Sequence, residues 1–220
     1  MLHNFDLNQI VTMIVPLIFA VTVHEVAHGY IAYKMGDSTA LLQGRITMNP
    51  IKHLDFIGSF LLPIVLKLSG SPIIFGYAKP VPVNFANLRD YRKGTISVAS
   101  AGVLANLALA IISGALFQIL LHFSSIWSDS FFQPFIVDLV NMLGYSVVIN
   151  TVLAIFNLIP IPPLDGGRIL AVLLPTPLRV HFESIERFGM LIVIFLLLTN
   201  SISRVMSSLM TPLLNFFLGK

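Results

Sequence analysis

Apolar residues in this chain run in long blocks, without the alternation of a half-buried strand or the stripe of a soluble amphipathic helix. Residues 10–32 form the first block, and the pattern predicts membrane helices near residues 9–33, 95–121 and 135–158, with another around 188–199 and its flanks. Residues 56–68 form a shorter block. As a helix it rises only about 20 Å, against about 30 Å for a bilayer core, and Pro63 and Lys67 interrupt it. Residues 41–49 and 81–84 show strand-like alternation among turn residues and predict short strands at the membrane edge. Residues 201–218 are apolar but carry Arg204 and Pro212, which predicts a kinked last span or an interfacial helix. The expected fold is an all-α polytopic membrane protein of about five to six membrane helices, with a re-entrant segment and short β strands at the cytoplasmic edge.

The charges orient this pattern. No Lys or Arg precedes the first block, whereas Lys34, Arg45 and Lys52 follow it, so the positive-inside rule places the N-terminus outside and Lys34 in the cytoplasm. Lys79, Arg89, Arg92 and Lys93 lie beyond residues 56–68, so both flanks of the short block are positive. The expectation is a segment that dips into the membrane and returns, with the span after Thr95 running outward and residues 135–158 running back. That path brings Asp165 into the same half of the membrane as His24 and His28.

Composition agrees with membrane residence. Of 220 residues 56% are hydrophobic and 10% charged, and the mean hydropathy is +0.88, whereas soluble domains are about 25% charged. The net charge of +3 fits cytoplasmic loops and lipid headgroups better than nucleic acid, because the basic residues are scattered between apolar spans. The N-terminal residues lack the basic region of a cleaved signal. Neither a repeat nor a second soluble domain is visible, and residues 1–220 are read as a single membrane-embedded domain. Cysteine is absent, so any metal must be held by His, Asp or Glu.

One cluster breaks the first apolar block: His24, Glu25, Val26, Ala27 and His28 spell H-E-x-x-H. Ionisable groups inside hydrocarbon are costly and mark function. On a helix the two histidines, four residues apart, share a face and can reach one ion, with Glu25 to the side beside the water such a site would hold. A catalytic zinc takes three protein ligands and leaves a position open. The best third candidate is Asp165, in the run Asn157-Leu158-Ile159-Pro160-Ile161-Pro162-Pro163-Leu164-Asp165-Gly166-Gly167. Non-helical backbone at membrane depth is tolerated where it lines a wet cavity. The competing role for Asp165 is to cap a helix beginning at Gly166.

HEVAH in a first span, the run Ser100-Ala101-Gly102-Val103-Leu104-Ala105-Asn106 opening a middle span, and the Leu-Asp-Gly at 164–166 closing another resemble the site-2 protease family of intramembrane zinc metalloproteases. The resemblance covers about residues 10–200 and is to the compact form, without PDZ or CBS modules. It implies a single Zn2+ held by His24, His28 and Asp165, with Glu25 as catalytic base and Asn106 and Asn157 beside the substrate backbone. Val103 departs from the pattern, where Pro often follows the glycine, and is expected to affect helix entry.

The two asparagines also make chemical sense. A helical substrate must unwind to be cut, and a carboxamide offers both donor and acceptor to the freed backbone; interhelical hydrogen bonds are the alternative use. His53 and Asp55 are expected to serve structure or gating. The implied reaction is hydrolysis of a peptide bond in or near a transmembrane helix of a client protein, in a bacterial-type cell membrane with the site toward the cytoplasm. The partners are that transmembrane substrate and the lipid bilayer. A zinc transporter or an idle helix-binding scaffold would use the same residues without cleavage.

Overall fold

The computed structural model describes residues 7–61, 64–65, 68, 76–199 and 201–219. Its architecture is helical. The major helices are α1 (Leu7–Lys34), α2 (Tyr91–His122), α3 (Gln133–Asn157), α4 (Asp165–Leu173), α5 (Thr176–Ser184), α6 (Glu186–Leu198) and α7 (Ser201–Leu218).

Among the described residues, three helices are long and apolar enough to cross a membrane: Val11–Lys34 within α1, Tyr91–His122 and Gln133–Asn157. The expected count of five to six is not reached among the described residues. Helix α6 has 13 residues and rises about 20 Å, short of a bilayer core. Of the short block at 56–68, residues 62–63 and 66–67 lie outside the described residues; its first part, Phe56–Leu61, forms one short π-helical turn.

The predicted strands are also absent among the described residues. Residues 39–42 instead form a helical turn, followed by bends, and residues 81–84 are extended but lack a strand partner. The reason lies in where the backbone donors go. Val81 N–H donates to the Glu25 carboxylate and Asn84 N–H to the Asp37 carboxylate, so side chains take the bonds that a ladder would need.

Helix α2 is central, packed against both α1 and α3. Small side chains permit the close approach that membrane helices use: Ala20, Ala32, Ala99, Ala110 and Ala154 are buried at these contacts. Past the middle of α2 the cluster of Ala110, Val147 and Phe217 draws α7 against the pair, with Leu213, Leu214 and Leu218 around it. On the outside, Val15 and Phe19 of α1 and Leu104, Ile111 and Ile112 of α2 remain exposed, the apolar surface that lipid covers. The chain is an integral membrane protein.

Helix α2 begins at its Asp90 cap, whose side chain accepts from Lys93 N–H at 2.8 Å. Residues 100–106 therefore lie well inside the helix, and Val103 is a buried core position that has no part in helix entry.

Candidate metal centre

Two helical stripes face each other at the site. On α1 they are His24 and His28; on α2 they are Val98, Gly102 and Asn106, each four residues from the next, so each set shares a face. His28 Nδ1 donates to Val98 O at 2.7 Å. His24 Nδ1 donates to Asn106 Oδ1 at 2.6 Å. Gly102 lies between these anchors, and a Cβ there would stand 2.5 Å from His24 Cε1 and closer still to His28 Nε2. The rings fit only because residue 102 has no side chain.

The third group comes from the turn after α3. Gly166 and Gly167 let α4 start hard against that turn: a Cβ at 167 would lie 2.5 Å from Pro162 N, and one at 166 would overlap Leu158 O. Leu164 is the N-cap and makes no side-chain capping bond, while Asp165 is the first helical residue. The capping role for Asp165 is thus not used. Its carboxylate turns to the histidines, with Oδ2 at 3.4 Å from His24 Nε2 and 3.2 Å from His28 Nε2.

Both imidazoles spend their N–H at Nδ1, so each presents a bare lone pair at Nε2. Those two atoms are 3.0 Å apart, and Asp165 Oδ2 is buried with no hydrogen-bond partner. With the histidines neutral, three electron-rich atoms therefore converge without a donor, an arrangement that a shared cation relieves. The spacing fits zinc: tetrahedral ligands at about 2.0–2.1 Å from the ion stand about 3.3–3.4 Å apart. Among the described residues, His24, His28 and Asp165 form a group whose ligand atoms lie close enough together to hold one metal ion.

The group opens on a cavity of about 420 Å³ that Glu25, Asn157 and Arg168 also line. One wall is an extended strap, residues 79–84. Between Pro80 and Pro82, which have no N–H, Val81 carries the donor of the triplet, and that N–H donates to Glu25 Oε2 at 2.7 Å. The strap is tied at both ends. Buried Arg45 donates through Nη2 to Lys79 O at 2.9 Å and to Pro80 O at 3.3 Å. At the other end, fully buried Asp37 accepts from Asn84 N–H at 2.8 Å and from Asn87 Nδ2 at 3.0 Å. Burial alone would raise the Asp37 carboxyl pKa, but bonds from Thr39, Asn87 and Asn84 outweigh it and hold the group below its ordinary value.

The two predicted asparagines part company. Asn157 lines the cavity, with Nδ2 donating to Leu153 O at 2.9 Å. Asn106 is fully buried and absent from the cavity lining. Its amide accepts from His24 and donates to Ala20 O and to Asn150 Oδ1, the interhelical use that competes with a place beside substrate. His53 and Asp55 do not join the metal group. His53 Nε2 donates to Thr47 O at 2.9 Å, and Asp55 Oδ1 accepts from Gly58 N–H at 2.7 Å.

Arg45, Asp37, Val81 and Asn150 belong to none of the motifs read from the sequence. Val81 had a legible signal, since Pro-Val-Pro isolates one amide donor. Asn150 had only its charge-free polarity inside a span.

Two histidines and an aspartate placed to hold one metal ion, with a glutamate beside them, among helices long and apolar enough to cross a membrane, are the arrangement of a membrane-embedded metallohydrolase. Comparison with known proteins gives the family. The model of peptidase family M50 matches residues 133–199. The chain is 37% identical over 195 residues to the Bacillus subtilis (strain 168) protein named "Putative zinc metalloprotease YwhC", covering 89% of this chain and 84% of that protein. Proteins named "Putative zinc metalloprotease Rip2" are 26% identical in Mycolicibacterium smegmatis and 24% in Mycobacterium tuberculosis, covering 85% and 88% of this chain and 66% and 69% of their own lengths. No solved structure gives a significant match. The chain belongs to peptidase family M50, the site-2 protease family, and is a zinc metalloprotease.

Proposed function

We propose that this protein hydrolyses a peptide bond in or near a transmembrane helix of a client protein, with zinc held by His24, His28 and Asp165 and Glu25 as the general base. The observation that carries the reading is the meeting of three buried lone-pair atoms, 3.0–3.4 Å apart and without a donor, beside a carboxylate in one cavity.

A zinc ion bound there supplies Lewis acidity toward water and the scissile carbonyl. The protein's own groups do the rest. His24 and His28 are held in the tautomer that leaves Nε2 free, and Asp165 adds a negative oxygen that favours a divalent ion over a proton. Glu25 takes a proton from the attacking water and returns it to the leaving amine nitrogen. The Val81 N–H fixes one oxygen of that carboxylate and leaves the other for the transfer. Asn157 offers its carboxamide to the unwound substrate backbone at the cavity wall.

The site opens toward the cytoplasm of a cell membrane in this reading. The loop charges support that orientation. So does the backbone at the ends of the short apolar block: Tyr77 N–H donates to Gly58 O at 3.0 Å and Ser59 Oγ to Tyr77 O at 3.0 Å. These bonds hold Tyr77 beside Gly58 and Ser59, a proximity that supports the dipping reading. The client is a membrane protein whose helix enters between these helices, cut as a step of regulated intramembrane proteolysis.

The test uses purified protein with a transmembrane substrate in detergent or vesicles. Glu25→Gln is expected to retain zinc and lose cleavage, whereas His24→Ala and Asp165→Ala lose both. Cleavage at the wild-type rate by Glu25→Gln would overturn the mechanism.

A further inference from the structure

We infer that Asn150, acting through Asn106, is a positioning residue that sets the tautomer of His24 and so its readiness to bind zinc. The inference rests on the proposed ligand role of His24. Asn106 and Asn150 are both fully buried, on α2 and α3. The direction of every bond in the chain is fixed by an acceptor that cannot reverse. Asn150 Nδ2 donates to the backbone carbonyl of Ser146 at 2.9 Å, so Asn150 must present Oδ1 to its other neighbour.

That neighbour is Asn106, whose Nδ2 donates to Asn150 Oδ1 at 2.7 Å and to the backbone carbonyl of Ala20 at 3.3 Å. With its nitrogen committed twice, Asn106 turns Oδ1 to His24 Nδ1 at 2.6 Å. An amide oxygen only accepts, so the proton sits on Nδ1, and Nε2 is bare where it meets His28 and Asp165. Reversing either amide would set its oxygen against another oxygen, Ser146 O for Asn150, or Asn150 Oδ1 and Ala20 O for Asn106, where both side chains are fully buried. The Ser146 hydroxyl, 2.8 Å from that of Ser113, gives Asn150 Nδ2 a second partner at 3.1 Å and stiffens the origin of the relay. His28 needs no relay, because a backbone carbonyl receives its Nδ1–H directly. The relay thus serves the histidine whose Nδ1–H has no backbone acceptor.

A double-mutant cycle reads this out. With zinc alone as the probe, Asn106→Leu is expected to weaken binding by about 10–100-fold and Asn150→Leu by about tenfold, the range for groups that orient a ligand. The double variant is expected to be no weaker than Asn106→Leu, since Asn150 has nothing left to act through. Losses that multiply, or wild-type affinity in Asn150→Leu, would overturn the relay.

Imidazole 15N spectra of the zinc-free full chain give a second readout independent of cleavage. Wild type is expected to show His24 protonated at Nδ1, and Asn150→Leu to show a mixture of tautomers; a wild-type His24 protonated at Nε2 overturns the proposal even if Asn150→Leu does not fold. Asn150→Ser, whose hydroxyl is too short to reach Asn106, is expected to match Asn150→Leu. Failure of the ligand assignment is separable: it appears as wild-type zinc affinity in His24→Ala, which leaves the tautomer result untouched.

Discussion

Replacing Gly102 by Ala tests how closely the metal group depends on the approach of α1 and α2. The added carbon would lie 2.7 Å from His24 Nδ1 and 2.5 Å from His24 Cε1, where ordinary contact is about 3.5 Å. Relief therefore requires the helices to part, or the rings to swing, by about 1 Å. The two anchors bracket the new methyl, His28 to Val98 O at 2.7 Å and His24 to Asn106 Oδ1 at 2.6 Å, and a 1 Å retreat stretches both past hydrogen-bonding distance. Loss of such orienting bonds costs about 10–100-fold in metal affinity, or about 1.4–2.7 kcal/mol. Folding stability should change less, because a helical Gly→Ala gains about 1 kcal/mol of propensity against about 1–3 kcal/mol of overpacking. The assay is zinc competition with a chelator in detergent, beside thermal unfolding of the zinc-free protein. Gly114→Ala is the control: its Cβ would meet Phe217 O at 2.9 Å, away from the metal group, so it should lower stability and spare zinc. Wild-type zinc affinity and cleavage in Gly102→Ala would refute the reasoning.

Three further outcomes are expected. Arg45→Met removes the bonds that hold Lys79 O and Pro80 O and so loosens the strap that presents Val81 N–H to Glu25; cleavage should fall about tenfold in kcat at unchanged zinc content, and loss of zinc instead would sink this role. Asp37 holds its carboxyl pKa below the ordinary 3.8 through bonds to the charged form, so its stabilisation is present above about pH 4 and is lost as pH falls through the depressed value. The gap in thermal midpoint between wild type and Asp37→Asn should therefore be widest near neutral pH and close below about pH 4, and a gap that widened with acid would contradict it. Removing zinc with a chelator should abolish cleavage, and adding zinc back should restore it; cleavage that survives full removal would exclude the metal site as the seat of reaction.

The chemistry was more legible than the topology because ligand spacing is local and membrane crossing is not. His24 and His28 declare themselves by a four-residue spacing that any helix converts into one face. Asp165 could be reached by asking which acidic residue follows a proline-rich break on the same side. The strands predicted at 41–49 and 81–84 failed because alternation describes a pattern and not a partner: Glu25 and Asp37, far along the sequence, take the strap's N–H groups. The last spans are not matched by membrane-length helices among the described residues: hydropathy flows across 188–199 and its flanks, whereas the helix there is 13 residues long. Asn106 shows the same limit. Its motif marks it as functional, but whether an amide faces substrate or a ligand histidine depends on Ala20 and Asn150, contacts that no spacing on one helix reveals.

X-ray absorption at the zinc edge of the loaded, purified protein tests the central claim most directly. Two imidazole nitrogens at about 2.0–2.1 Å and one carboxylate oxygen at about 2.0–2.2 Å are expected in wild type and in Glu25→Gln alike, with the carboxylate oxygen lost in Asp165→Asn. A zinc shell with one imidazole or none, or one unchanged by Asp165→Asn, would contradict the assignment of His24, His28 and Asp165 as the metal's ligands.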